Sequence, residues 1–238
     1  MAGSFFALSI QLENRVMSRV LIIGDTHAPC MREGYIEFLQ DSYEAWDCDR
    51  VVHIGDLVDN CALSFHTKRP QLADPMKELE EAHEQINALT EVFPVVDLLI
   101  GNHDALPARV AAEVGLPIEF IRSPKDLWEL PEGWTVHNRY SKLEIDNVLY
   151  FHGDCGKSTA INNAKDHFMS CVNGHRHASA GVTYYANKHA RVFGLAVGCG
   201  VDDQRMAMEY GMKYNAKSLL GCGIVLDGQT GIFEPWQV

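Results

Sequence analysis

The feature that most constrains the fold of this chain is a series of short apolar runs that each end in glycine and a polar residue. Four such runs lie at residues 20–23, 51–54, 95–100 and 171–173. Short runs of β-branched and aliphatic residues are typical of strands that are buried on both faces. Ligands bind such sheets beyond the carboxyl ends of the strands. We therefore expect the polar residues after these runs to gather at one edge.

Helix signals occupy the gaps between the early runs. Asp74 followed by Pro75 predicts a capped helix start, 107–114 predicts a second helix, and Ser123 before Pro124 starts a third. The later half of the chain is richer in strand patterns. A hairpin is expected over 142–151, and further strands at 182–185, 192–197 and 223–226, with a last one after the turn at 227–231. The order predicts an α/β fold of two packed sheets with helices outside.

Length and composition favour one globular domain. The chain has 238 residues, of which 47% are hydrophobic and 22% charged, so we expect a single domain over 19–238 and an N-terminal extension, 1–18, that forms an extra strand or a loose arm. A net charge of −12 argues against a broad nucleic-acid-binding surface. Seven scattered cysteines without a Cys-x-x-Cys pair indicate free thiols in a reducing compartment. No signal peptide or membrane span is evident, so we expect a cytoplasmic protein with no membrane partner.

Polar groups that bind metals are concentrated in five short motifs. These are Gly24-Asp25-Thr26-His27, Gly55-Asp56-Leu57-Val58-Asp59-Asn60, Gly101-Asn102-His103-Asp104, Phe151-His152-Gly153-Asp154 and Gly174-His175-Arg176-His177. Each motif is weak evidence by itself, but their order and their place after apolar runs together predict a metal site. Two carboxylates, an amide oxygen and four imidazoles form a mixed ligand set that suits Mn, Fe or Zn better than Mg or Ca.

The same series of motifs, over residues 19–178, resembles the calcineurin-like metallophosphoesterase superfamily. The resemblance implies a four-layer αββα sandwich, in which two packed mixed β-sheets are flanked by helices. It also implies two divalent transition metal ions as cofactors, with Mn²⁺ preferred and Fe, Zn or Ni as alternatives. The ligands that it implies are Asp25, His27 and His177 for the first ion, Asn102, His152 and His175 for the second, and Asp56 as the bridge between them.

The resemblance further implies a mechanism. A hydroxide that bridges the two metals would attack phosphorus in line. His103 would stabilise the phosphate or protonate the leaving oxygen, held by the neighbouring Asp104, since a histidine can transfer protons near neutral pH. The loop after Asp59 carries His66 and Arg69, which we expect to bind substrate because loops beside a rigid site often do.

The expected activity is hydrolysis of phosphate esters, and of phosphodiesters with a nucleotide-type substrate in particular. The alternative is a DNA nuclease of the Mre-type exonuclease kind, and less favoured readings are a phosphomonoesterase or an inactive scaffold. Residues 59–66 look like those of small phosphoesterases from phage and prophage genomes. The protein Ser/Thr phosphatases have Asp-Arg-Gly where this chain has Asp59-Asn60-Cys61, which argues against phosphoprotein substrates.

Overall fold

Two β-sheets pack face to face and helices cover their outer faces, which gives the four layers α, β, β and α that the sequence predicts. The structure is a computed structural model that describes residues 17–65, 69–208 and 215–237. The predicted extension at 1–18 therefore lies almost wholly outside the described residues. Its role and the domain boundary at residue 19 stay predictions. No helix of the described part is long and apolar enough to cross a membrane.

The first sheet is mixed and contains six strands. These are β1 (Arg19–Ile23), β2 (Arg50–His53), β3 (Val96–Leu99), β4 (Trp134–His137), β10 (Gly221–Leu226) and β11 (Thr230–Pro235). Their order is β11-β10-β1-β2-β3-β4. Strands β1 to β4 are parallel, whereas β10 is antiparallel to both β1 and β11. The predicted runs at 20–23, 51–54 and 95–100 are therefore three adjacent parallel strands, and their carboxyl ends share one edge.

The second sheet contains five strands. These are β5 (Leu143–Ile145), β6 (Val148–Tyr150), β7 (Ser170–Asn173), β8 (Ala180–Ala186) and β9 (Arg191–Val197). Their order is β5-β6-β7-β9-β8, with β6, β7 and β9 parallel and the two edge strands antiparallel. The predicted hairpin is confirmed, since Asp146 and Asn147 connect β5 to β6 with φ values of 50° and 60°. Positive φ at both central residues is what a tight two-residue hairpin turn requires.

The described part of the chain also forms five α-helices: α1 (Tyr35–Ala45), α2 (Pro75–Val92), α3 (Leu106–Glu113), α4 (Pro124–Leu127) and α5 (Ala160–His167). The predicted start of α2 is confirmed, because the Asp74 carboxylate accepts the backbone N–H groups of Met76 and Lys77. Ser123 caps α4 in the same way. Helix α3 begins one residue before the predicted position. The sequence analysis did not single out α1, α5 or β4.

Alternate side chains of the central strands enter two different apolar layers. In β1, Leu21 and Ile23 face the helices of the first outer layer, whereas Val20 and Ile22 face the second sheet. Helix α5 packs on the far face of the second sheet, where Ala164 joins a separate apolar cluster. Burial on both faces explains why the strand sequences are continuous apolar runs without alternating polar residues. The rigid sheet ends that result position the loops described next.

Candidate metal centre

The five motifs meet where the carboxyl ends of the two sheets come together. Asp25 follows β1, Asp56 follows β2 and Asn102 follows β3, all at one edge of the first sheet. His152 follows β6 and His175 follows β7 in the second sheet. The two edges are joined directly, because the backbone N–H of His175 donates to Asp25 Oδ2 at 2.9 Å. The structure therefore brings together side chains that lie up to 152 positions apart in sequence.

A first group of candidate ligands contains Asp25, His27 and His177, whose ligand atoms lie within 4.8 Å of one another. His177 Nε2 is 3.1 Å from Asp25 Oδ2. The rings of His27 and His177 stand nearly perpendicular, with centroids 4.9 Å apart. Burial alone would raise the pKa of Asp25, but the hydrogen bond with His177 and the charge of His152 outweigh it and lower that pKa. Asp25 is therefore an ionised carboxylate inside the protein.

A second group contains Asp56, His152 and His175, again within 4.8 Å of one another. His152 Nδ1 donates to the carbonyl oxygen of Ile54 at 3.2 Å. Its Nε2 faces two acceptor oxygens, Asp56 Oδ2 at 3.2 Å and Asn102 Oδ1 at 3.0 Å. Such an arrangement needs a positive charge, either a proton on Nε2 or a metal ion among the three atoms. Burial would lower the pKa of His152, but the charge of Asp56 outweighs it and raises that pKa to about 10.

Asp56 lies between the two groups. Its Oδ2 is 3.6 Å from His27 Nε2 in the first group and 3.2 Å from His152 Nε2 in the second. Its Oδ1 accepts the backbone N–H of His103 at 2.8 Å, which fixes the orientation of the carboxylate. Burial would raise the pKa of Asp56, but the charge of His152 and the hydrogen bond with it lower that pKa well below its ordinary value. One oxygen that faces both groups is the arrangement that a bridging ligand requires.

The partner of His103 is Asp59, and the prediction that Asp104 holds this ring is wrong. His103 Nδ1 lies 2.7 Å from the Asp59 carbonyl oxygen and 3.2 Å from its Oδ1. The Asp104 carboxylate points the other way and accepts the backbone N–H groups of Val58 at 3.1 Å and Gly101 at 2.9 Å. Successive residues in a tight turn point in different directions, so sequence adjacency was a poor guide. Asp104 is buried, and its two hydrogen bonds hold the loop backbone.

Asp59 also orients His27, whose Nδ1 lies 2.8 Å from Asp59 Oδ1. Burial would raise the pKa of Asp59, but the hydrogen bonds from His103 and His27 lower it to about 2. An ionised carboxylate only accepts hydrogen bonds, so His27 carries its proton on Nδ1. The lone pair of His27 is then on Nε2, a buried atom with no hydrogen-bond partner in the described residues. A histidine that is held by a carboxylate and presents its second nitrogen is typical of metal ligands, so this unpartnered atom fits a metal ion.

Two glycines allow the carboxylates to approach the backbone closely. A Cβ atom on Gly101 would overlap the Asp56 carboxylate, and one on Gly174 would overlap the Asp25 carboxylate. Several ligand-bearing loops also adopt left-handed backbone conformations, with φ of 49° at His27, 51° at Asp56 and 65° at His175. Residues with side chains rarely adopt these angles, and they cluster at functional sites.

Of the two predicted substrate-binding residues, the structure describes only Arg69. Arg69 is exposed just before the short 3-10 helix Pro70–Leu72, and its substrate role stays a prediction. His66 lies outside the described residues. Asp59 was missed as a site residue, although it is the last acid of the motif that begins at Gly55. The signal that could have found it is its position three residues after Asp56, in the same loop.

Comparison with known proteins gives a family match. The family model described as calcineurin-like phosphoesterase matches residues 18–191. Among curated proteins, no significant match is found. Solved structures similar to the chain include Yfce, a phosphoesterase from E. coli, at 12% identity over 87% of each chain with a TM-score of 0.41. Vacuolar protein sorting 29 from Cryptosporidium parvum is similar at 14% identity over 88% of this chain and 86% of that one, with a TM-score of 0.44.

Proposed function

Since this chain belongs to the calcineurin-like phosphoesterase family, whose members are metal-dependent hydrolases, we propose that its substrates are phosphodiesters of the nucleotide type. The observation that carries the proposal is the shared carboxylate oxygen of Asp56, 3.6 Å from His27 Nε2 and 3.2 Å from His152 Nε2. Two imidazoles that both lie close to one oxygen of a buried carboxylate support a pair of cations bridged by that carboxylate. A pair of cations is what in-line displacement at phosphorus uses.

The residues that would hold the ions are the seven named from the sequence. The first ion would be held by Asp25, His27 and His177, the second by Asn102, His152 and His175, and both by Asp56. We propose Mn²⁺ as the ion, because three oxygen-bearing ligands and four imidazoles match its intermediate preference between hard and soft donors. When bound, two such ions supply Lewis acidity toward the phosphate and lower the pKa of water.

His103 is the proton donor of the proposal. Burial would lower its pKa, but the hydrogen bond with Asp59 and the charge of Asp56 outweigh it and raise that pKa to about 9. The ring is therefore protonated near neutral pH. Its Nδ1 proton is held by Asp59 at 2.7 Å, so the proton available to a leaving oxygen is on Nε2. The side chain is 21% exposed, which leaves it accessible from the cleft.

The preference for diesters over monoesters rests on Asn60. This residue stands where the protein phosphatases have arginine, and its Nδ2 donates to the His103 carbonyl at 3.0 Å. Asn60 therefore makes a neutral structural hydrogen bond and supplies no positive charge that could bind substrate. A phosphomonoester carries up to two negative charges at neutral pH, because its second pKa is about 6, whereas a diester carries one. A site with fewer cations suits the diester.

The free thiols support a reducing compartment. No disulfide joins the seven cysteines, all of which lie in the described part of the chain, and five of them are buried. Free cysteines in such number are typical of proteins kept in a reducing environment. We therefore propose the cytoplasm as the place where the protein acts.

The test compares esters after chelation and reconstitution with Mn²⁺. A generic aryl phosphodiester, a cyclic nucleotide and a dinucleotide are assayed beside an aryl phosphomonoester, and single- and double-stranded DNA are examined on gels. We expect turnover of the diesters to exceed that of the monoester at least about tenfold. The reverse order would contradict the diester assignment, and cleavage of polymeric DNA alone would favour a nuclease.

Two variants assign the residues. His103→Ala should keep its metal content and lose most of its turnover, whereas Asp56→Ala should lose both ions by elemental analysis. His189→Ala, which alters an exposed histidine, is the matched control and should change neither. Retained turnover in the His103 variant would remove its proposed role, and unchanged metal content in the Asp56 variant would remove the bridge.

A further inference from the structure

The rim of the cleft beside His103 is built from two segments that are tied to this residue. Its carbonyl oxygen accepts both the Asn60 side chain at 3.0 Å and the backbone N–H of Leu106 at 3.0 Å. The first bond fixes the loop that runs from Asn60 to Phe65, and the second lies at the start of α3. Both segments are therefore held in a fixed position relative to His103, and they form the surface next to it.

The loop is further held by an acidic side chain of α2. The Glu78 carboxylate accepts the backbone N–H groups of Cys61 at 2.6 Å and Ala62 at 2.8 Å. These bonds to a charged acceptor are among the stronger ones that a protein makes. The 3-10 turn at Cys61–Leu63 is consequently a rigid base for the aromatic residue that follows it, Phe65.

Phe65 presents a flat apolar surface to solvent with a cation beneath it. Its side chain is 50% exposed, and the Arg109 guanidinium of α3 lies 5.1 Å from the ring centroid. Within the described residues, no carboxylate forms an ion pair with Arg109. The contact therefore covers one side of the ring with a planar cation, which fixes the ring and leaves other ring atoms open to solvent.

We propose that Phe65 and Arg109 form a stacking site for the nucleobase of the leaving group, an inference that rests on the phosphodiesterase function above. The leaving oxygen must face His103, because this residue supplies its proton. The stacking site lies on that same side, since α3 begins at Leu106, whose backbone N–H donates to the His103 carbonyl. The helix rises about 1.5 Å per residue, which puts Arg109 only about 4.5 Å along the axis from Leu106. That separation is within the reach of a single nucleoside.

The chemistry of the pair selects a class of leaving group. Every base has a π-face, so stacking on an aromatic ring is tolerant of base identity. The Arg109 guanidinium adds a positive charge to the stacking site. The chain has a net charge of −12, so its overall charge repels an anionic substrate, and few positive charges offset that repulsion. The site therefore favours leaving groups that are nucleosides over leaving groups that are small alcohols or bare sugars.

The first test measures binding without turnover. A dinucleotide, and its counterpart with an abasic sugar on the leaving side, are titrated into the full chain in the presence of a chelator, with calorimetric detection. We expect Phe65→Ala to weaken the dinucleotide about tenfold, since loss of one stacked base costs on the order of a factor of ten, and to leave the abasic compound unchanged. Phe65→Trp should keep or tighten the dinucleotide. Equal effects on both compounds, or none on the dinucleotide, would overturn the stacking site.

The second test is kinetic and has an independent control. With Mn²⁺, Phe65→Ala should raise KM for the dinucleotide about tenfold with little change in kcat, and Arg109→Gln should raise it by a smaller factor. Phe168→Ala removes another phenylalanine that is 89% exposed, and should alter neither constant; an equal rise in KM there would overturn the assignment. If the wild-type chain hydrolyses no diester, the proposed function fails, while the binding test still decides on the stacking site.

Discussion

Replacing Asp59 by asparagine tests a buried carboxylate that contacts two imidazoles, those of His27 and His103. The side chain keeps its shape but loses its negative charge. In the wild type, Asp59 Oδ1 lies 2.8 Å from His27 Nδ1 and 3.2 Å from His103 Nδ1. In the variant, both ring nitrogens face a neutral amide in place of an anion. Hydrogen bonds to a charged group contribute about 1.5–3 kcal/mol each. Loss of an outer partner of a metal-binding histidine typically costs about 10–100-fold in metal affinity or activity.

Two separate losses are expected for Asp59→Asn. Affinity for the ion held by His27 should fall about 10–100-fold, which is measured by calorimetric titration of Mn²⁺ into the chelated protein. At saturating Mn²⁺, kcat should still be reduced about 10–100-fold, because His103 loses the neighbour that raises its pKa. In the proposed mechanism His103 donates a proton, so activity is lost as pH rises through its pKa. Lowering that pKa should therefore move the alkaline limb of the kcat profile to lower pH.

Asp41→Asn is the matched control, since it removes an exposed carboxylate on α1. It should leave metal affinity, kcat and the pH profile unchanged. The reasoning is refuted if Asp59→Asn unfolds at lower denaturant concentration than the wild type but binds Mn²⁺ with the same affinity and shows the same alkaline limb. Such a result would reduce Asp59 to a residue that stabilises the loop.

Three further outcomes follow from the same geometry. Asp104→Asn should destabilise the fold by about 1–3 kcal/mol in urea denaturation, because one of the two backbone N–H groups loses its acceptor, with kcat of the folded protein almost unchanged; equal stability would contradict this. Gly101→Ala should displace the Asp56 carboxylate and reduce bound Mn²⁺ below two equivalents, and full metal content would argue against the contact. Mn²⁺ binding at pH 7–8 should release about one proton from His152, detected by calorimetry in buffers of different ionisation enthalpy, and affinity should fall as pH is lowered; absence of release would contradict protonation at that ring.

The sequence predicted the two sheets because their central strands are buried on both faces. A strand with helices on one side and a second sheet on the other has few polar positions, so β1, β2 and β3 stand out as mostly apolar runs, with His53 and Asp97 as exceptions. Helix α1 did not stand out, because Gly34 precedes it with φ of 86° and no side chain caps its first turn. Helix α5 has eight residues, as α3 has, but it lacks the proline that marks the start of α3.

The residues of the candidate site likewise fall into those that the sequence could predict and those that it could not. Residues that follow buried strands could be identified from one sequence, since parallel strands bring their carboxyl ends to a common edge. Contacts between loops could not be predicted, because they depend on which way a side chain points after a turn. Asp104 precedes α3 and points inward, whereas Asp59, 44 positions earlier than His103, points toward it. The Phe65–Arg109 pair likewise joins a loop residue to a residue of α3, and no sequence spacing relates the two.

The shared carboxylate of Asp59 links metal binding to proton donation. Because Oδ1 accepts from His27 and lies near the His103 ring, the position of the first candidate ligand and the charge of the proton donor depend on the same buried atom. Neither imidazole can shift without altering the hydrogen bond that orients the other. The loop between β2 and α2 therefore sets both properties at once, and it also leads through Asn60 to the stacking surface at Phe65. A single segment of chain thus connects the bridge at Asp56, the proton donor and the proposed contact with the leaving group.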